Sequence, residues 1–147
     1  MKEGPRHQAR QAALQILYQW EVGRVSPEEA LARHWEIEQE GAELSGTSRR
    51  FAGDLAEGTI AHLASIDARI EAQAQNWRLE RMAVIDRLIL RMAVWEFLFR
   101  PETPRTVVID EAIELARTFS EQDAVRFVNG VLDGIHHAMA AGGTTDA

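Results

Sequence analysis

The first residues of the chain carry side chains that suit contact with phosphate groups. The stretch PRHQARQAALQILYQW, residues 5–20, opens with two arginines and a histidine and continues with apolar residues at helical spacing. Single nucleic-acid strands are held by cations that follow the backbone and by aromatic rings on which bases stack. The candidate cations here are Lys2, Arg6, His7 and Arg10, and the candidate stacking rings are Tyr18 and Phe127. The same residues also have an ordinary structural explanation. The cations would be solvated surface charges, and the two rings would pack in the core.

The charge distribution sets this stretch apart from the rest of the chain. The protein has a net charge of −7, so its average field repels phosphates. Residues 1–20 hold three basic residues and one acidic residue, a local +2, which leaves −9 for the remainder. A basic patch on an otherwise acidic protein favours binding of an anionic ligand in one orientation. The acidic remainder favours contact with a second, basic partner.

Residue patterns typical of enzymes and of metal or cofactor sites are missing. The chain has no cysteine, no glycine-rich phosphate loop, no His-Glu-x-x-His and no Gly-x-Ser-x-Gly. His34 and Glu38 are four residues apart, but two ligands make a poor metal site. Asp86 and Glu96 lie too far apart along one helix for an acid/base pair. We therefore expect a protein that is not an enzyme and that binds neither a metal nor a cofactor.

Helical periodicity runs through every long segment, and no segment alternates as a strand does. The pattern predicts an all-α chain of about seven helices in two small bundles, forming one domain over residues 1–140. The polar stretch 71–76 suggests subdomains of about 1–72 and 73–140, followed by a flexible tail at 141–147. Without a membrane-length apolar run or a signal sequence, we expect a soluble, cytoplasmic protein.

Capping signals predict where several helices begin. The first helix is expected from Gln8 to Val22. Ser26 is placed to cap the second helix, with Pro27 in its first position and Glu29 as the acid of a capping box. Later caps are expected at Ser65, at Thr103 before Pro104, and at Ser120 with Asp123 as its capping-box acid.

Apolar positions predict which faces are buried. Residues 82–99, MAVIDRLILRMAVWEFLF, are apolar almost all round, which is typical of a central helix. The polar exceptions within it are Asp86, Arg87, Arg91 and Glu96. The expected core residues elsewhere include Trp20 in the first helix, Leu31 and Trp35 in the second, Leu63 in the third, Trp77 in the fourth and Phe119 in the sixth.

Four segments carry a resemblance to a known family. They are PRHQARQAALQILYQWEVG, RMAVIDRLILRMAVWEFL, VVIDEAIELARTFS and RFVNGVLDGI. Their order and spacing resemble the NusB family of bacterial transcription antitermination factors, from about Arg6 to Ile135. The resemblance implies an all-α fold that binds the boxA element of nascent RNA together with NusE, a small-subunit ribosomal protein. It also implies association with the RNA polymerase elongation complex and other Nus factors, notably on ribosomal RNA operons.

The resemblance also implies roles for individual residues. The family's arginine-rich motif falls on Arg6 to Arg10, with His7 and Gln8 where other members have arginines. With Lys2 added from the charge pattern, the expected RNA-binding residues are Lys2, Arg6, His7, Arg10, Asp123, Arg126 and Phe127. The implied NusE-binding residues are Tyr18, Glu80 and Asp86.

Two other classes of function stay open. Because His7 and Gln8 stand where other members have arginines, the sequence is also compatible with a helical protein–protein interaction module that makes no direct RNA contact. A helix-turn-helix DNA binder has less support, because no basic recognition helix is visible in the sequence. A homodimer is a further alternative, since some members of the family self-associate through surfaces that RNA or partners use.

Overall fold

The computed structural model describes residues 4–37, 44–74 and 78–142. These ranges contain seven α-helices, one 3₁₀ turn and no strand, which confirms the predicted all-α class. The elements are α1 (Pro5–Gly23), α2 (Pro27–Ile37), α3 (Gly46–Ala61), α4 (Leu63–Gln73), the 3₁₀ turn (Leu79–Arg81), α5 (Val84–Phe99), α6 (Arg105–Phe119) and α7 (Gln122–Gly142). Within the described ranges, no helix combines the length and the apolar character that crossing a membrane requires.

The chain divides into two compact units, Met1–Ala61 and His62–Ala147. The first unit holds α1, α2 and α3, and the second holds α4 to α7. The sequence had placed this boundary near residue 72, at the polar stretch after α4. The structure places it before α4, because α4 packs against α5 and α7.

Helix α1 begins earlier than the periodicity predicted, at Pro5 rather than Gln8. Proline suits the first helical turn because its missing N–H would have no partner there. At the other end Arg24 adopts the left-handed conformation, with φ 57° and ψ 42°, and its N–H donates to the Trp20 carbonyl at 3.1 Å. The core face is as predicted for Ala9, Ala13, Ile16 and Leu17, whereas Trp20 is half-buried.

Helix α2 confirms the predicted cap and corrects the predicted core face. Ser26 Oγ accepts a hydrogen bond from the Glu29 N–H at 3.0 Å, and the Glu29 carboxylate accepts one from Arg33 at 2.7 Å. Ala30 and His34 are the buried side chains, so the face turned inward lies one residue before the expected Leu31 and Trp35, which are half-buried. Small Ala30 permits the close approach of α2 to α1 and α3.

Replacing Ser26 by Ala is expected to lower the free energy of unfolding by about 1 kcal/mol, because an orphan N–H of α2 loses its acceptor. Urea unfolding followed by circular dichroism measures this loss. The matched control is Ser65→Ala, because Ser65 is exposed inside α4 and not at its start. Equal losses in the two variants would contradict the capping role of Ser26.

Helix α5 forms the centre of the second unit, where it packs against α4, α6 and α7. Leu88, Leu90 and Val94 are fully buried in it, as the all-round apolar pattern predicted. The buried polar exceptions are held by hydrogen bonds. The Arg91 guanidinium donates to both carboxylate oxygens of Asp67 on α4 at 2.9 Å. The Arg87 guanidinium donates to the Leu79 carbonyl at 3.0 Å, which ties the 3₁₀ turn to α5.

Several predicted helix boundaries in the second unit are wrong. Helix α4 begins at Leu63, so Ser65 is an interior residue, and Leu63 belongs to α4 rather than to α3. Pro104 is the N-cap of α6 rather than its first residue, and its carbonyl accepts from Val107 and Val108. Phe119 at the end of α6 is half-buried. The predicted core residue Trp77 lies outside the described residues, as do positions 143–147 of the predicted tail, whereas residues 141 and 142 belong to α7.

Candidate nucleic-acid interface

Arg6 is the exposed cation at the start of α1. Its guanidinium carbon lies 4.1 Å from the centre of the Phe51 ring on α3. Stacking on an aromatic face leaves the N–H edge of a guanidinium free to bind phosphate oxygens. The Phe51 side chain is itself buried, so it supports Arg6 as a fixed surface. This contact places one cationic side chain of the first unit in a defined position.

The other described cations of the opening stretch are buried. Arg10 is only 4% exposed and His7 only 6%, and the Gln11 amide donates to His7 Nε2 at 3.3 Å. His7, Arg10, Leu14 and Leu17 are spaced three, four and three residues apart, so they share the face of α1 turned to the core. The expectation that Arg10 and His7 are presented to phosphates therefore does not match their positions. Lys2 lies outside the described residues.

Tyr18 lies on the exposed surface of α1. Its side chain is 42% exposed, and Val22, one turn further on, is 50% exposed. An exposed tyrosine with an apolar neighbour is typical of protein interfaces, where a ring supplies a large contact area. The structure is therefore compatible with the predicted partner-binding role of Tyr18.

A groove in the second unit brings together three residues that the sequence singled out. Asp86 from the start of α5 and Asp123 and Phe127 from α7 line a cavity of about 340 Å³. Asp123 and Phe127 are four residues apart and so share one face of α7. The other lining residues are Arg81, Met82, Ala83 and Ala124. We call this cavity the α5–α7 groove.

Ser120 fixes one carboxylate of the α5–α7 groove. Its hydroxyl donates to Asp86 Oδ1 at 2.5 Å. The predicted role of Ser120 as the cap of α7 is therefore wrong, because α7 begins at Gln122 and the side chain of Ser120 is directed to α5. Asp123 lies exposed in the first turn of α7. The groove thus presents a positioned carboxylate, an exposed carboxylate and an aromatic ring.

A second cavity adjoins this groove and carries two arginines. It has a volume of about 510 Å³, and Asp123 lines both cavities. Arg126 and Arg117 are both exposed, and Arg117 donates to the Glu114 carboxylate at 2.7 Å. Sequence reasoning found Arg126 but missed Arg117, Arg81 and Met82, because they come from elements with no periodic relation to α7.

Glu80 on the 3₁₀ turn is exposed and lies 3.8 Å from the Arg78 guanidinium.

The arrangement offers groups that can bind a nucleotide. An aromatic ring beside carboxylates can stack a base and accept hydrogen bonds from its amino groups, and arginines can bind the phosphates that follow. In the described part of the chain, no group of three or more His, Asp or Glu side chains is placed to hold a metal ion.

Known proteins with similar sequences and structures share this fold. The model of the NusB family matches residues 7–137. The transcription antitermination protein NusB of Solibacter usitatus is 45% identical over 134 residues, which cover 91% of this chain and 90% of the relative. The structure of T. maritima NusB superposes with a TM-score of 0.84 at 33% identity, covering 93% of this chain and 94% of the other.

A structure of the antitermination factors NusB and NusE in complex with double-stranded RNA also matches. It superposes with a TM-score of 0.80 at 27% identity and covers 92% of this chain and 98% of the matched chain. The family match covers most of the chain, and the sequence relative agrees with it over nearly the same length. The chain therefore belongs to the NusB family.

Proposed function

We propose that the protein is a transcription antitermination factor that binds boxA-type single-stranded RNA together with NusE. The observation that carries this proposal is the α5–α7 groove, in which Asp123 and Phe127 meet Asp86, beside the exposed Arg126. The complex joins elongating RNA polymerase with other Nus factors, notably on ribosomal RNA operons. The protein acts there as a non-catalytic, cytoplasmic adaptor.

The second unit supplies the base-recognising part of the RNA site. Phe127 is half-buried and lines the groove, so part of its ring is within reach of a base that enters it. Unstacked bases held by stacking and by edge hydrogen bonds are the usual basis of sequence recognition in single-stranded RNA. Arg126 binds the backbone next to the stacked base, and Asp123 accepts a hydrogen bond from a base amino group.

The partner NusE supplies further cations to the RNA site. With Arg10 and His7 buried, Arg6 is the exposed cation of the arginine-rich motif in the described residues. Glu80 and Asp86 are acidic, and complementary charge favours docking of a basic ribosomal protein on them. Tyr18 adds an exposed ring to the partner surface on the first unit. RNA affinity therefore depends on NusE.

NusE dependence gives a direct test of the proposal. Fluorescence anisotropy with labelled boxA RNA is expected to show binding at least about tenfold tighter with NusE than without it, a gain of about 1.4 kcal/mol. A scrambled strand and a duplex of the same sequence serve as controls. The duplex is informative because a similar NusB–NusE complex was solved with double-stranded RNA. Equal affinity for boxA and scrambled strands in the presence of NusE would overturn the proposal.

The burial of Arg10 and His7 favours one alternative function. The protein would then be a helical interaction module that binds NusE through its acidic residues and makes no RNA contact of its own. Tight binding of the protein to NusE would support this alternative if the complex bound RNA no more tightly than NusE alone does. Light scattering on the free protein tests homodimer formation independently.

A further inference from the structure

We propose that the N-terminal part of α3 is a second contact for the RNA backbone, formed by Arg49 and Arg50. These two arginines continue the cationic surface that begins at Arg6 on α1. The ligand is a run of phosphate groups of single-stranded RNA. The inference rests on the proposed RNA binding and extends it to a segment outside the arginine-rich motif.

Packing of α1 against α3 brings the two segments together. The Arg6 guanidinium lies 4.1 Å from the Phe51 ring, and Phe51 directly follows Arg50 in the chain. The Arg10 guanidinium approaches the same ring at 5.3 Å. Arg50 immediately precedes Phe51, so the Cα atom of Arg50 lies about 3.8 Å from that of the residue on which Arg6 stacks.

Arg49 is held by an aromatic ring in the same way as Arg6. Its guanidinium carbon lies 5.0 Å from the centre of the Trp35 ring on α2, and Trp35 packs edge-on against the buried His34. A guanidinium fixed on a ring loses less conformational freedom when it binds a phosphate. Arg50, the next residue, is exposed. Two of the three arginines on this surface are therefore positioned in advance by ring contacts.

The starts of α1 and α3 carry arginines without an acidic residue in the same first turn. The first acid along α3 is Asp54, one turn after Arg50. Two more arginines on α3 compensate for His7 and Gln8, which stand where other family members carry arginines. A protein of net charge −7 thereby keeps a local cationic surface for RNA.

The test is the salt dependence of boxA RNA binding by the complex with NusE. The variant Arg49→Gln/Arg50→Gln removes two charges, and each phosphate contact on a single strand contributes about 0.7 to the slope of log K against log salt. We expect the slope to fall in magnitude by about 1.4, so that the affinity ratio to wild type changes about 25-fold over a tenfold range of salt. The charge-matched control in the same unit is Arg24→Gln/Arg33→Gln. We expect its slope of log K against log salt to equal that of wild type.

The outcomes separate this inference from the proposed function. A reduced slope in Arg6→Gln with an unchanged slope in Arg49→Gln/Arg50→Gln would overturn the inference and leave RNA binding intact. An equal fall in the control pair would also overturn it, because the effect would then reflect net charge alone. Failure of the wild-type complex to bind boxA RNA would overturn both. Circular dichroism and NusE binding confirm that each variant is folded.

Discussion

Replacing Arg91 by Ala is expected to lower the free energy of unfolding by about 3 kcal/mol, the lower end of the range for breaking a buried ion pair. Arg91 makes two hydrogen bonds of 2.9 Å to Asp67, and the two side chains are 11% and 23% exposed. The variant leaves the Asp67 carboxylate without these two donors. Because water still reaches part of Asp67, the loss stays below that of a fully enclosed charge.

Urea unfolding at neutral pH measures the effect of Arg91→Ala. The double variant Arg91→Met/Asp67→Leu is expected to recover most of the lost stability, because it removes both charges and keeps apolar volume. The surface comparison is Arg33→Gln, which breaks the pair with Glu29 whose side chains are about half exposed. Such a pair contributes about 0.3–0.5 kcal/mol. A loss in Arg91→Ala no larger than in Arg33→Gln would contradict the structural role.

Replacing Phe127 by Leu is expected to lower the affinity of the NusE complex for boxA RNA by about tenfold to a hundredfold. Stacking of a base on an aromatic side chain contributes about 1–3 kcal/mol, and leucine offers no aromatic face. Leucine keeps most of the apolar volume, so the neighbouring core residues Val128 and Leu132 stay packed. The effect should therefore appear in RNA affinity rather than in folding.

Fluorescence anisotropy with and without NusE measures the effect of Phe127→Leu. The matched control is Phe119→Leu, because Phe119 is also half-buried but does not line the α5–α7 groove. Its RNA affinity is expected to equal that of wild type. If both variants lose the same affinity, or neither does, Phe127 does not stack on the RNA.

The helices were largely predictable, whereas several of their starts were not. Periodicity found α5 and its nearly continuous burial, and the Ser26 signal predicted the start of α2 correctly. The serines at 65 and 120 carry the same local signal without capping a helix. A hydroxyl before an apolar stripe can bond to the backbone or to another element, and local sequence does not distinguish the two.

The candidate site was predictable where its residues share one helix. The four-residue spacing of Asp123 and Phe127 places both on one face of α7, and both line the α5–α7 groove. Arg81 and Met82 enter the same groove from the 3₁₀ turn region, which has no periodic signal. The contact between Arg6 and Phe51 joins residues 45 positions apart in the chain.

The sequence by itself determined the all-α class, the central position of α5, the family, and the concentration of positive charge at the start of an acidic chain. Only the tertiary structure decided which of those charges are exposed. Helical periodicity shows which residues share a face, but packing decides which face is covered. In α1 the covered face holds His7 and Arg10, while Arg6 stays at the surface on the ring of Phe51. The number of cations available to RNA therefore depends on the packing of α3 against α1.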